Sequence, residues 1–243
     1  MLKLVRDTRN IFKYHRLKIA MLDYHRPVYL PSADELLDSD ETPVDNELQE
    51  LIPALLKSIL LMIWEARQDW LFAIDMGIYS SPELPPIVPD AFLSLGVERC
   101  YDEELRPSYV LWDEETVPSF VLEVVSPRYR EEYTTKLKIY EQMGVLYYAI
   151  YSSKRKRKAR FEVYKLVDGV YQLVGDSPVW MPEIGLGIGC ERGNYGGVIR
   201  EWLYWYDEGG KRYSTPNERI QEEVDRSKKL ADKLRQLGID PDE

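Results

Sequence analysis

Cysteine is scarce in this sequence of 243 residues, and the features that would direct a chain into a membrane are missing. The two cysteines, Cys100 and Cys190, stand 90 positions apart with no other cysteine and no histidine near them in sequence. This spacing excludes a disulfide framework and a zinc site built from clustered ligands. No apolar run approaches the length of a membrane span, and the N-terminus lacks the apolar core of a signal peptide. We therefore expect a cytoplasmic protein with no membrane partner.

Positive charge is also in deficit, because the formal net charge is −10 at pH 7. A negative surface is unfavourable for nucleic-acid binding, although binding depends on the local patch and not on the total. Two local exceptions are residues 1–26, with seven Lys/Arg against two Asp, and the run KRKRKAR from Lys154 to Arg160. The run is either a solvated hairpin turn or a patch that faces phosphates.

Three segments are expected along the chain. Residues 1–27 form a basic, weakly patterned extension, and either Met1 or Met21 within it is the native start. Residues 28–212 form the folded domain. Residues 213–243 form a charged helix that opens with the capping box Thr215 to Glu218 and ends at Gly238. Its thin apolar seam is consistent with a short oligomerising coiled coil or with a solvated tail.

Hydrophobic periodicity within the domain predicts the order helix, strand, strand, strand, helix, strand. Apolar residues at spacings of three and four over 48–64 indicate a helix, with Asp45 as its N-cap and a kink or later start at Pro53. Strand patterns cover 71–80, 87–96 and 118–127, with a short extra strand within 108–115. The second helix is predicted from about Glu131 to Met143, and strand VLYYAIY follows it.

After this core, two further strands joined by the Asp168-Gly169 turn predict a hairpin. Residues 178–206 are rich in Trp, Tyr, Gly and Pro, and we expect irregular structure there. The fold class predicted from the whole pattern is α/β, with an αβββαβ core, a mixed sheet and a C-terminal helical tail.

The stretch PSFVLEVVSP, residues 118–127, is the most informative in the chain. A continuous run of Val, Leu and Phe predicts a strand that is covered on both faces, yet Glu123 stands at its centre. Burying an ionised carboxylate is costly unless a cation or a metal compensates it. Asp90 poses the same problem in the strand pattern at 87–96. Two such carboxylates suit Mg²⁺ or Mn²⁺, whereas either one alone is also typical of a structural ion pair.

A cation for Glu123 is available on the second helix. At roughly 100° per residue, Lys136 lies in the middle of the apolar face, close to Tyr140, and Lys138 lies on the solvent side. Lys136 either pairs with Glu123 or extends to water, and Glu132 is in reach of it at the i, i+4 spacing. Asp, Glu and Lys around one metal are typical of phosphodiester hydrolysis, in which the metal activates water and the lysine stabilises charge.

Three motifs in this order resemble the Uma2 family of restriction-endonuclease-like proteins in the PD-(D/E)XK nuclease superfamily, abundant in cyanobacteria. They are IVPD at 87–90, LEVVSP at 122–127, and KLKIY at 136–140 before Gly144-Val145. The resemblance covers roughly residues 28–210. It implies a restriction-endonuclease-like fold and a metal-dependent endonuclease whose substrate is DNA.

The resemblance also implies roles for individual residues. Asp90 and Glu123 would be the metal carboxylates, with the Val124 carbonyl as a backbone ligand. The superfamily lysine falls at the position of Val125, and in this family it is moved to the next helix, where Lys136 matches it. The catalytic set implied is thus Asp90, Glu123 and Lys136. An acid on the first helix would correspond to Glu47 or Glu50, and Glu132 stands where relatives often carry Asp.

Three functions remain open from the sequence. The first is a Mg²⁺- or Mn²⁺-dependent endonuclease, acting on DNA as a homodimer with no organic cofactor. The second is a non-catalytic interaction protein that keeps the nuclease fold and oligomerises through its C-terminal helix. The third is a structural domain whose acids are only ion-paired. Val125 and the negative net charge favour the second, whereas the acid pair with an inward lysine favours the first.

Overall fold

The structure, a computed structural model, describes residues 30–36, 46–99, 105–125, 131–155, 159–175, 177–237 and 240. The predicted basic extension with its two candidate starts lies outside these residues. So do Cys100, the proposed Asp45 cap, the helix end at Gly238 and the middle of the KRKRKAR run.

Four α-helices and eleven strands account for most of the described chain. The helices are α1 Glu47–Ile63, α2 Leu111–Glu114, α3 Thr135–Met143 and α4 Pro216–Gln236. The strands are β1 Trp70–Ile74, β2 Ile78–Tyr79, β3 Ala91–Leu95, β4 Tyr109–Val110, β5 Phe120–Val124, β6 Tyr147–Tyr151, β7 Phe161–Val167, β8 Val170–Val174, β9 Val179–Met181, β10 Leu186–Tyr195 and β11 Val198–Tyr206.

A six-stranded mixed sheet forms the centre of the fold, in the order β1-β3-β5-β6-β7-β8. Only the β5–β6 pair is parallel among the neighbours in this sheet. Helix α3 connects those two parallel strands, as a crossover connection requires. The succession α1, β1, β3, β5, α3, β6 is the predicted αβββαβ core, and the α/β fold class with a mixed sheet and a C-terminal helix is confirmed.

Both faces of the sheet are covered, which explains the continuous apolar sequence of β5. Phe120, Leu122 and Val124 pack into one core with α1 and the small sheet described below. Val121 packs into a second core with residues of α3 such as Tyr140. Because side chains alternate along a strand, Glu123 faces the α3 side with Val121.

Helix α1 is continuous from Glu47 to Ile63 with Pro53 inside it, so the predicted later start at Pro53 is wrong. Its N-cap is Asn46, whose side chain accepts a hydrogen bond of 2.9 Å from the Leu48 N–H. Pro53 itself is buried. The apolar stripe predicted for this helix packs against the central sheet, where Leu55, Leu56 and Ile59 are fully buried.

The prediction of irregular structure over 178–206 is wrong. Strands β9, β10 and β11 form an antiparallel three-stranded sheet, and the β10–β11 hairpin turns at Gly196-Gly197, both with positive φ as a tight hairpin turn requires. Glycines in β10 obscure the alternation of apolar and polar residues that predicts a strand, but the packing around them leaves no room for a side chain. A Cβ on Gly189 would lie 2.9 Å from the Cα of Pro178. The aromatic run at 202–206 is buried against α1 and the central sheet.

Two smaller predictions also need correction. Helix α3 begins at Thr135, four residues later than predicted, because residues 131–134 form a turn in which Glu131 has a positive φ of 65°. The extra strand within 108–115 is limited to Tyr109–Val110 and continues as helix α2. Helix α4 opens with the predicted capping box and has no buried residue. No helix in the described part of the chain is long and apolar enough to span a membrane.

Candidate active site

Adjacent strands bring the two predicted carboxylates together. Asp90 directly precedes β3, and Glu123 lies in β5. The two strands are antiparallel neighbours with Ala91 opposite Leu122, so Asp90 and Glu123 meet at the same point of the sheet. Both side chains are buried, with Asp90 7% and Glu123 3% exposed. The carboxylates therefore share one poorly solvated site.

Lys136 from α3 reaches Glu123, as the helix geometry predicted. Its Nζ lies 2.8 Å from both carboxylate oxygens of Glu123. The Tyr140 hydroxyl, one turn later on the same helix, donates to Oε1 of Glu123 at 2.8 Å. The Lys136 side chain is 23% exposed and that of Glu123 4%, so the ammonium stands between the buried carboxylate and solvent.

Asp90 is held by different partners. Its Oδ2 accepts a hydrogen bond of 2.5 Å from the Val124 N–H, and its Oδ1 accepts one of 3.0 Å from the side-chain amide of Gln49. Gln49 is fixed in turn, because its Oε1 accepts from the side chain of Asn46 at 3.2 Å. The N-terminal turn of α1 thus orients one carboxylate, while α3 orients the other.

Burial raises the pKa of both acids, and the charge of one adds to the shift of the other only at Asp90. Burial contributes most to the raised pKa of Asp90, and the charge of Glu123 adds to it, while the Val124 N–H and Lys136 oppose the shift. Burial also raises the pKa of Glu123, although Lys136 and Tyr140 favour its ionised form. A second cation at this site would relieve the repulsion between the two acids.

Lys136 responds to the same charges in the opposite sense. Burial by itself lowers the pKa of Lys136, but the carboxylate of Glu123 outweighs it, with smaller contributions from Asp90 and Glu132, and the pKa is raised overall. Lys136 therefore remains an ammonium ion at neutral pH. Glu132 is buried in the turn before α3, one turn ahead of Lys136, and its charge contributes to the raised pKa of that lysine.

Sequence reasoning missed three residues of the site. Gln49 and Tyr140 contact the two carboxylates directly. Asp75 follows β1 with a positive φ of 48°, its N–H donates to the Asp90 carbonyl at 3.4 Å, and its charge adds to the raised pKa of Asp90. The position of Tyr140, one turn after Lys136, was a usable signal for that residue. A glutamine on a helix start gives no comparable signal.

The predicted first-helix acids lie elsewhere. Glu47 and Glu50 are both exposed on the first turn of α1, and Gln49 between them is the residue that faces Asp90. Val125, at the usual lysine position, is partly buried at the end of β5 and donates its N–H to the Tyr151 carbonyl at 2.8 Å.

The site offers two side-chain carboxylates for a cation. Within the described residues no group of three or more His, Cys, Asp and Glu side chains is arranged to hold a metal ion. Two buried carboxylates with hard oxygen donors nevertheless fit Mg²⁺ or Mn²⁺, which are typically bound by one or two carboxylates with the remaining positions left to water and substrate. The donor chemistry and the like-charge repulsion at Asp90 both agree with such an ion.

A groove of about 750 Å³ runs beside the site, between α3 and the segment that leads into β3. Its walls are largely apolar, and Lys136 lies in its lining. The lining on either side includes Leu84, Pro86, Val88, Ile139 and Met143. Lys136 thus borders this groove and also contacts Glu123.

The described arginines of the KRKRKAR run form ion pairs with neighbouring strands. Arg155 lies 2.7 Å from Glu162, and Arg160 lies 3.8 Å from Glu201. Arg155 also stacks over the Tyr133 ring at 4.0 Å. These contacts favour the hairpin-turn interpretation for the described part of the run.

Comparison with known proteins identifies the family. The sequence profile of the Uma2 family, described as "Putative restriction endonuclease", matches residues 28–191. A crystal structure of "a putative nuclease belonging to DUF820" from Anabaena variabilis ATCC 29413 is 12% identical, with a TM-score of 0.43, over 63% of this chain and 89% of its own. No curated protein matches the sequence. Because the profile match covers more than half of the sequence, the chain belongs to the Uma2 family of restriction-endonuclease-like proteins.

Proposed function

We propose that the protein is a divalent-metal-dependent endonuclease that hydrolyses phosphodiester bonds in DNA. The observation that carries the proposal is the contact of Lys136 Nζ with both oxygens of Glu123 at 2.8 Å, beside the second buried carboxylate, Asp90. A lysine from α3 thereby supplies the cation that Val125 cannot supply from the strand.

Each residue has a distinct task in this proposal. Asp90 and Glu123 hold Mg²⁺ or Mn²⁺, with the Val124 carbonyl as a backbone ligand. The bound ion supplies Lewis acidity towards the phosphate and lowers the pKa of water. Lys136 stabilises the negative charge that develops on the scissile phosphate. Gln49 and Tyr140 orient the two carboxylates through the hydrogen bonds described above.

The test is cleavage of supercoiled plasmid DNA in Mg²⁺ and in Mn²⁺ by the full chain. We expect wild type to produce nicked and linear DNA, and Glu123→Gln, Asp90→Asn and Lys136→Met to lose at least about 100-fold in rate. Lys138→Met is the matched control, because Lys138 is exposed on the same helix two positions away.

Two results would contradict the proposal. Cleavage that survives Glu123→Gln and Lys136→Met would show that the site lies elsewhere. No cleavage of DNA by wild type in either metal would favour the interaction protein.

The proposal extends to partners and location. We propose a homodimer, since cutting both strands of a duplex needs two such sites, acting in the cytoplasm without an organic cofactor. A plasmid linearised in one encounter, without accumulation of nicked circles, is the expected product pattern of a dimer.

Helix α4 supports the second candidate, an interaction protein that oligomerises through this helix. The helix has no buried residue, and Ile220 and Val224 are 63% and 40% exposed on its apolar seam. Under this proposal Val224→Glu in the full chain converts an oligomer to a monomer in sedimentation velocity. A sedimentation coefficient that Val224→Glu leaves unchanged would contradict oligomerisation through α4.

A further inference from the structure

We propose that Lys136 and the divalent cation compete for the carboxylate of Glu123, so that loading of the site moves the lysine into the neighbouring groove. This inference rests on the proposed function and concerns how the same site changes between its metal-free and metal-loaded states.

The geometry of Glu123 leaves little room for a cation while Lys136 is bound. A carboxylate offers about four lone-pair positions. The ammonium group lies 2.8 Å from both oxygens and so covers the side on which the two oxygens converge, and the Tyr140 hydroxyl occupies a further position on Oε1. Mg²⁺ needs oxygen ligands at about 2.0–2.1 Å in near-octahedral geometry.

Charge reinforces the conflict. A divalent cation bound to this carboxylate would lie close to an ammonium group in a poorly solvated site, where like charges repel far more strongly than in water. The contact of Lys136 is bidentate and charge-assisted, which makes it one of the stronger hydrogen-bond types in proteins. Departure of the lysine from Glu123 therefore favours binding of the ion by both carboxylates.

Lys136 has a place to go. Its side chain is 23% exposed, in contrast to the 4% of Glu123, and it lines the groove beside α3. Glu131, an exposed residue on the same groove, provides negative charge in that direction. Tyr140 is fully buried and keeps its hydrogen bond to Glu123 from the core side. The lysine is thus the movable partner of the carboxylate and the tyrosine the fixed one.

Release of Lys136 from Glu123 would give the lysine one role in the metal-free protein and another in the metal-loaded protein. In the metal-free protein the ammonium neutralises the buried carboxylate. In the loaded protein the same group faces the groove, where it can meet a phosphate oxygen of a bound strand. The lysine would act on substrate only after the site is filled.

The test is Mn²⁺ binding measured by electron paramagnetic resonance of the free ion, with the full chain and no DNA. We expect Lys136→Met to bind Mn²⁺ at least about tenfold more tightly than wild type, because a charge-assisted contact no longer opposes the ion. Lys138→Met should match wild type, and Glu123→Gln should lose binding. Circular dichroism and a melting curve establish that each variant is folded.

The outcomes separate this inference from the proposed function. Equal or weaker Mn²⁺ binding by Lys136→Met, in a folded variant that still binds through Glu123, would overturn the competition and leave the metal site standing. Absence of Mn²⁺ binding in wild type and in Lys136→Met would overturn both. Binding by Lys136→Met alone would show that the lysine excludes the ion from the native site, which would overturn both the displacement of Lys136 on loading and the proposed metal-dependent activity.

Discussion

Replacement of Lys136 by methionine should destabilise the metal-free protein by an amount that depends strongly on pH. The substitution removes the contacts at 2.8 Å to both oxygens of Glu123. The hydrogen bond from the Tyr140 hydroxyl to this buried carboxylate remains. Breaking a buried ion pair by removing one partner costs about 3–5 kcal/mol. The loss has an upper limit, however, because Glu123 can escape it by taking up a proton.

That limit can be calculated. A glutamate in the unfolded chain has a pKa of about 4.3, and each pKa unit corresponds to about 1.36 kcal/mol. Protonating Glu123 at pH 7 therefore costs about 3.7 kcal/mol, and at pH 5 only about 1 kcal/mol. The pKa of Glu123 is already raised by burial and rises further without the lysine. The variant thus keeps its stability below about pH 4.3 and loses it as pH rises towards the new pKa.

The assay is urea denaturation followed by tryptophan fluorescence, in chelator at pH 5, 6 and 7. We expect Lys136→Met to lose at most about 3.7 kcal/mol relative to wild type at pH 7 and at most about 1 kcal/mol at pH 5. Both losses fall below these limits because burial already raises the pKa of Glu123 in wild type. Lys138→Met should show no such slope, and Glu123→Gln combined with Lys136→Met should recover most of the loss at pH 7. A loss of equal size at pH 5 and pH 7 would refute the assignment of Lys136 as the counter-charge of Glu123.

Three further predictions follow from single contacts. Gln49→Glu should destabilise the metal-free protein by about 2 kcal/mol, because a carboxylate replaces the hydrogen-bond donor to Asp90, and Mn²⁺ should restore most of the lost stability. Chemical denaturation measures the effect, with the exposed Glu50→Gln as the control. Gly189→Ala should lower the free energy of unfolding by about 1–3 kcal/mol, since the added Cβ would meet the Pro178 backbone. Gly175→Ala is the control and should leave the melting temperature nearly unchanged, because the space around Gly175 is open. The double variant Val125→Lys/Lys136→Met should cleave plasmid faster than Lys136→Met alone, because positions 123 and 125 lie on the same face of the strand. Equal rates would argue that a lysine at position 125 cannot replace Lys136.

The sequence predicted the centre of the fold well because its signals there are local and strong. The continuous apolar run around Glu123 predicts a strand covered on both faces, and β5 is buried throughout. A lysine on the apolar face of the next helix needs a counter-charge, and the structure pairs Lys136 with Glu123. Both inferences depend on burial of charge, a cost large enough to constrain the structure.

Other features were missed because their causes are distant in sequence. Strands β9–β11 were predicted to be irregular because glycines such as Gly189 interrupt the alternating strand pattern. In the structure, a side chain at Gly189 would collide with the neighbouring Pro178. Gln49 is an ordinary polar residue in sequence, and its role arises only because the start of α1 packs against Asp90, 41 positions away. Asn46 caps α1, one residue after the position predicted for the cap, and composition cannot resolve a difference of one residue.

The most direct test of the proposed metal site is a crystal structure with Mn²⁺, in which the ion is located by its anomalous scattering. We predict a single strong peak between Asp90 and Glu123, with carboxylate oxygens at about 2.0–2.2 Å and Lys136 Nζ turned away from Glu123 into the groove. A site without a peak, in which Lys136 keeps its 2.8 Å contacts to both oxygens of Glu123, would contradict the account.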